Sequence, residues 1–126
     1  MPPLPDPTDF DLAPFPDCVV AVRVPPDGLI VYRLVTAVPA TEDDFVPRNA
    51  LRVGAHPILL TCAVSVFLSA RSALDVRTKP TSRLAQLRLQ PDPLTHVART
   101  VRRVERDHVS VWAPKRRLLR AVVRYW

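Results

Sequence analysis

The stretch Cys18–Thr36 decides the fold, and its sequence is CVVAVRVPPDGLIVYRLVT. It contains two runs rich in β-branched residues, which a Pro-Pro-Asp-Gly segment separates. Such runs are typical of strands, and Gly28 can supply the positive φ of a turn between them. We expect the two runs to pair as antiparallel neighbours, across a loop that Pro25 and Pro26 make wider than a two-residue hairpin.

Alternation along the second run assigns its side chains to two faces of a strand. Ile30, Tyr32 and Leu34 share one face, whereas the other face is apolar except for Arg33. This single charge on an apolar face makes Arg33 a candidate functional residue.

Further short elements are expected along the rest of the chain. Proline occupies 15 of the 126 positions and breaks up long helices and strands. Thr41 is expected to cap a helix over residues 42–46 that stops near Pro47. Ser69 is expected to cap a second helix, over residues 70–76. The remaining expected elements are strands over residues 64–68, 83–89, 108–112 and 122–126, and a helix with Pro114 in its first turn.

Residues 94–106 fit two interpretations. Leu94, Val97, Val101 and Val104 recur at helical spacing, which favours a helix. The segment is also rich in β-branched residues, which favours a strand. Periodicity leaves both interpretations open.

The length of 126 residues is that of one domain. No stretch approaches the roughly 18 to 20 uninterrupted apolar residues that span a bilayer, and the first residues lack the pattern of a secretory signal. We expect a cytoplasmic protein without membrane contact. Its fold class is α+β, with residues 18–126 forming a single small domain of mostly short strands and two or three short helices.

Common catalytic and metal-binding signatures are absent from the sequence. Cys18 and Cys62 both lie in apolar runs without a nearby second cysteine, so we expect buried free thiols and no metal site. No nucleophile elbow, zinc-protease motif or glycine-rich phosphate loop is present, and two glycines could not build such a loop. We therefore expect a non-enzymatic protein that needs no cofactor.

Charge is distributed unevenly along the chain. Residues 1–60 hold eight acidic and four basic side chains, whereas residues 61–126 hold four acidic and fourteen basic ones. Residues 1–17 contain six prolines, four aspartates and no basic residue, which predicts an extended arm. We expect this arm to dock on its own domain or on a partner through its apolar residues, which are Leu4, Phe10, Leu12 and Phe15.

The basic residues of the C-terminal half predict an anion-binding surface. Arginines contact phosphates, and Trp112, Tyr125 and Trp126 lie among them, as in single-strand nucleic-acid binders. On an amphipathic helix the same arginines would be solvated or would face a protein. The residues of this predicted basic surface are Arg99, Arg102, Arg103, Lys115, Arg116, Arg117, Arg120 and Arg124.

A second set of residues lies within the predicted strands. If the strands meet in one sheet, an arginine, a hydroxyl, an imidazole and two aromatic rings could line a pocket for an anionic, ring-bearing ligand. Taken one at a time, a histidine or tryptophan in a strand more often has a structural role than a binding or catalytic one. The residues of this predicted pocket are Tyr32, Arg33, Ser65, His108 and Trp112.

Several short motifs are similar to those of a set of small uncharacterised bacterial proteins. They include VYRLV at residues 31–35, VSVF at 64–67 and HVSVW at 108–112. The Tyr-Arg strand followed by a serine-bearing strand and helix is also distantly similar to ADP-ribosyltransferase-like folds, and this resemblance favours the strand for residues 94–106. That family usually has a late catalytic glutamate or an equivalent polar residue on a strand, and no glutamate follows Glu105. The resemblance thus implies a degenerate or different site.

These features predict a non-enzymatic basic interaction module that acts within a larger protein or protein–nucleic-acid assembly. The expected partner is a protein, contacted through the arm and the basic surface. Two alternatives stand beside it. One is an ADP-ribosyltransferase-like domain that binds a nucleotide or acts on it, and the other is a direct nucleic-acid-binding protein.

Overall fold

The computed structural model describes residues 19–45, 63–77, 81–100 and 107–126. Within these ranges it shows a seven-stranded sheet, two short α-helices and one 3-10 helix, which confirms the predicted α+β class with mostly short strands. The helices are η1 (Glu42–Phe45, 3-10), α1 (Ala70–Asp75) and α2 (Lys115–Arg120). The strands are β1 (Val19–Val22), β2 (Leu29–Val35), β3 (Val64–Phe67), β4 (Arg83–Leu89), β5 (His96–Thr100), β6 (His108–Trp112) and β7 (Val122–Tyr125).

The predicted hairpin of β1 with β2 is wrong. All neighbouring strands are antiparallel, in the order β1-β5-β6-β3-β2-β4-β7, so β1 pairs with β5 while β2 lies between β3 and β4. The turn itself is as expected, because the Gly28 N–H donates to the Pro25 carbonyl at 2.9 Å and Gly28 has a φ of 101°. Pro25 and Pro26 add no backbone N–H donors to this loop, and the donors and acceptors of β1 pair with β5 instead.

The main core lies on the sheet face that η1 and α2 cover. Burial on β2 alternates as predicted, with Val31 and Val35 fully buried beside Arg33. Phe45 of η1 and Leu118 of α2 pack into the same cluster. A smaller cluster on the opposite face joins Phe67, Ala73 of α1 and Leu84.

Local hydrogen bonds explain where two of the helices begin. The Ser69 hydroxyl accepts from the Ser72 N–H at 3.2 Å, which confirms the predicted cap of α1. The short helix after Thr41 is present as η1, where the Asp44 carboxylate accepts from the Thr41 N–H at 3.1 Å. This contact, from the third helical position back to the cap, is one half of a capping box.

The strand interpretation of residues 94–106 is confirmed over residues 96–100. This segment forms β5, which is hydrogen-bonded to β1 on one side and to β6 on the other. Residues 101–106 lie outside the described ranges, as do Cys18, Cys62 and the predicted arm with Leu4, Phe10, Leu12 and Phe15. Among the described residues, no helix is long and apolar enough to cross a membrane.

Candidate functional site

A groove of about 510 Å³ lies between α2 and the segment that joins β4 to β5. Its floor is aliphatic and includes Leu89, Leu118, Ala121 and Val123. Polar side chains of the connecting segment complete one wall. The basic residues that line this arginine groove are Arg88, Arg116, Arg117 and Arg120.

The amphipathic pattern of α2 explains why three of these arginines face outward. Leu118 is buried in the core, whereas Arg116, Arg117 and Arg120 are exposed. Pro114 precedes the first turn, and its carbonyl accepts from the Arg117 and Leu118 N–H groups. The helix is thus anchored by Leu118, with Leu119 partly buried against the same core, and its arginines remain at the surface beside the groove.

Two carboxylates of the protein contact arginines of the groove. Arg117 Nη1 lies 3.2 Å from Asp92 Oδ2, and Arg116 Nε lies 3.3 Å from Glu42 Oε1. Within the described ranges, no ion pair involves Arg88 or Arg120. The groove therefore keeps excess positive charge. The Arg116–Glu42 pair is exposed on both sides, and such a pair contributes only about 0 to 1 kcal/mol.

Asp92 is held in place by its own neighbours. Its carboxylate accepts from the Leu94 N–H and from the Thr95 hydroxyl, each at 2.7 Å. A fixed carboxylate restricts the guanidinium of Arg117 that it contacts. This edge of the groove is consequently more ordered than a pair of free surface side chains would be.

Gly28 leaves room for the stem of Arg88. A Cβ atom on Gly28 would lie 2.6 Å from Arg88 Cγ and 2.9 Å from Arg88 Cδ. The turn after β1 thus requires glycine at position 28 for two reasons, which are the φ of 101° and the close approach of Arg88.

The predicted basic surface is only partly brought together. Arg116, Arg117 and Arg120 line the groove, and Lys115 belongs to the same helix. Arg99 is exposed on β5, and four strands separate β5 from β7, the strand of Arg124. The predicted residues Arg102 and Arg103 lie outside the described ranges.

The aromatic residues near these arginines do not line the arginine groove. Trp112 is completely buried. The Tyr125 hydroxyl accepts from the Ala40 N–H at 3.0 Å, while Trp126 is partly exposed with the Arg124 guanidinium 4.5 Å from its ring centroid. The lining of the groove, as far as it is described, includes no aromatic side chain.

The five residues of the predicted pocket do not share one face. Tyr32 pairs with Phe67, and Phe67 pairs with His108, so these three rings lie on the same face of the sheet. Ser65 is two residues from Phe67 and Trp112 is four residues from His108, so alternation places both on that face as well. Arg33, next to Tyr32, lies on the other face. His108 is buried, and its ring meets Phe67 edge-on with centroids 5.4 Å apart.

Arg33 is buried and hydrogen-bonded to backbone carbonyls of other elements. Its Nε donates to the Asp44 carbonyl at 2.6 Å, and its Nη1 donates to the Ser65 carbonyl at 2.7 Å. The Asp44 carboxylate accepts in turn from the Thr36 N–H and hydroxyl, both at 2.9 Å. This Arg33 junction links β2, β3 and η1, and its contact with Ser65 is to the backbone carbonyl of that residue.

The predicted sites do not include Arg88, Gln90, Asp92 or Thr95, which line the groove. Alternation in β4 does expose Arg88, but nothing in the sequence places it beside α2. In the described part of the chain, no group of three or more His, Cys, Asp or Glu residues could hold a metal ion. Comparisons of the chain with protein families, with curated proteins and with solved structures found no match.

Proposed function

We propose that the protein is a non-enzymatic binding module whose arginine groove holds an acidic, extended segment of a partner protein. One observation supports this function above the others. Three exposed arginines of α2, together with Arg88 of β4, line a groove of about 510 Å³ with an aliphatic floor. Guanidinium groups bind carboxylates through paired hydrogen bonds, and the floor can take the apolar side chains of the same segment.

The groove fits an acidic polypeptide better than a nucleic acid. Single-strand binders combine phosphate contacts with aromatic rings on which bases stack, and the described lining of the groove offers aliphatic side chains instead. A peptide carboxylate can replace Glu42 on Arg116 at little cost, because that pair is largely exposed.

A labelled peptide of alternating glutamate and leucine tests this proposal by fluorescence anisotropy, with a lysine–leucine peptide as the charge control. We expect the acidic peptide to bind and the basic one not to bind. Replacing Arg88 and Arg120 by alanine should lower the affinity about tenfold or more, corresponding to at least about 1.4 kcal/mol.

The matched control removes two exposed arginines that lie outside the groove, Arg71 and Arg99. Because both double variants lose the same charge, only a local contact distinguishes them. Equal loss of affinity in the two variants would overturn the proposal in favour of a diffuse charge effect. Tighter binding of a single-stranded oligonucleotide, with a steep dependence on salt, would favour the nucleic-acid alternative.

A further inference from the structure

A second cleft, of about 540 Å³, lies beside α1 on the side of the sheet opposite the main core. Ala70 and Leu74 of α1, Leu84 of β4 and the Trp126 ring form its apolar walls. None of these residues belongs to the arginine groove. The α1 cleft is therefore a separate feature of the surface.

The apolar walls of the α1 cleft are partly open to solvent. Leu74 is 42% exposed and Trp126 is 43% exposed. Large apolar side chains that are exposed around one concavity indicate a binding site more strongly than scattered ones do. The volume also lies within the range of roughly 300 to 1,000 Å³ that is typical of small-molecule sites.

Contacts on several sides fix the position of Trp126. Its backbone N–H donates to the Leu84 carbonyl at 2.9 Å, and its own carbonyl accepts from Arg83 Nε at 2.8 Å. Its ring centroid lies 6.2 Å from that of Tyr32, and the Arg124 guanidinium lies against the ring. The wall of the cleft is thus formed before a ligand arrives, which reduces the cost of binding.

The charge at the mouth of the cleft is positive. Arg77 and Arg83 both line it, and no acidic side chain is among its described lining. Arg83 Nε already donates to the Trp126 carbonyl, so Arg77 is the arginine that can turn to a ligand. Within the described ranges, Arg77 has no ion pair, so its guanidinium is available to an anion. An apolar cavity with a cationic mouth is complementary to a molecule with an apolar body and one negative end.

We propose that the α1 cleft binds a small carboxylate ligand with an apolar body. The body would lie against Leu74, Leu84 and Trp126, and the carboxylate would reach Arg77 at the mouth. This site is independent of the function proposed for the arginine groove. If the α1 cleft does not bind such a ligand, the function proposed for the arginine groove is unaffected. If the groove does not bind an acidic peptide, the proposal for the α1 cleft is equally unaffected.

Decanoate, used below its micelle concentration, is a suitable probe, with decanol as the uncharged control of the same chain length. Binding can be followed by the fluorescence of Trp126, because Trp112 is fully buried and contributes a constant background. Isothermal titration calorimetry gives the affinity independently of that ring. We expect saturable binding of decanoate, at least about tenfold tighter than binding of decanol.

Two variants locate the site. Arg77→Ala should weaken decanoate binding about tenfold and leave decanol binding unchanged. Arg71→Ala, on the exposed surface of α1, should change neither. Both arginines are exposed, so both variants are expected to fold, and circular dichroism checks this. Absence of saturable binding would overturn the proposal. Equal affinity for decanoate and decanol, or equal effects of the two variants, would overturn it as well.

Discussion

The Arg33 junction and the arginine groove are both built on arginine, but their guanidinium groups have different partners. Arg33 is 6% exposed and donates to two backbone carbonyls of its own chain. In the groove, Arg88 and Arg120 are exposed, and no carboxylate pairs with them in the described ranges. The number of arginines in the sequence therefore says little about binding until the partner of each one is known.

The buried arginine of the junction contributes to stability, whereas the exposed arginines of the groove are available for recognition. A buried arginine that satisfies backbone carbonyls holds elements of the fold together, because its removal leaves those carbonyls without donors. An exposed arginine contributes little to folding and is free to meet a ligand. Substitutions in the two regions should consequently separate the free energy of unfolding from the affinity for the acidic peptide.

The largest effect on stability is expected from Arg33→Ala. The substitution leaves the carbonyls of Asp44 and Ser65 without their donor and opens a cavity beside Val31. We expect the free energy of unfolding to fall by about 3 kcal/mol, as measured by urea denaturation. Arg88→Ala serves as the comparison, and a similar loss in both variants would break the distinction between the two regions.

A smaller loss is expected from Asp44→Ala. The Asp44 carboxylate accepts from Thr36 twice and from the Thr41 N–H, and these groups lie nearer to solvent than Arg33 does. The expected loss is about 1 to 2 kcal/mol in the same denaturation experiment. Asp44→Asn keeps one acceptor oxygen and should lose less. An unchanged stability of Asp44→Ala would mean that the junction depends on Arg33 alone.

Gly28→Ala should affect both properties, since Gly28 supports the turn and gives space to Arg88. The φ of 101° is strained for alanine, and the new Cβ would displace the Arg88 stem. We expect a loss of stability of about 1 kcal/mol, together with weaker binding of the glutamate–leucine peptide. Thermal unfolding and anisotropy measure the two effects. Full peptide affinity in this variant would show that the position of Arg88 does not matter for the groove.

The elements of the fold could be predicted from the sequence because they depend on local features. β-Branched runs identified β1 and β2, Ser69 identified the start of α1, and Gly28 identified the turn. Strand partners depend on contacts between distant segments, and for this reason the predicted hairpin failed. Residues 96–100 were ambiguous for the same reason, since neighbours on both sides make this segment a strand.

The candidate sites could be predicted only in part. Alternation in β2 singled out Arg33, but it gave no sign that the partners would be backbone carbonyls of η1 and β3. The charge pattern identified the arginines of α2, whereas Arg88 enters the groove only because β4 and β7 bring it beside Ala121. Such proximity arises from the tertiary fold, so a single sequence without the structure could not show it.

The most direct test of the difference between the two regions is a map of amide chemical shifts, recorded by NMR while the glutamate–leucine peptide is added. We expect saturable shifts at the non-proline residues that line the groove within 88–95 and 116–123, and none at Arg33. This result would show that recognition belongs to the exposed arginines and not to the buried one. Shifts centred on Arg33 or on the α1 cleft, with the groove unchanged, would contradict it.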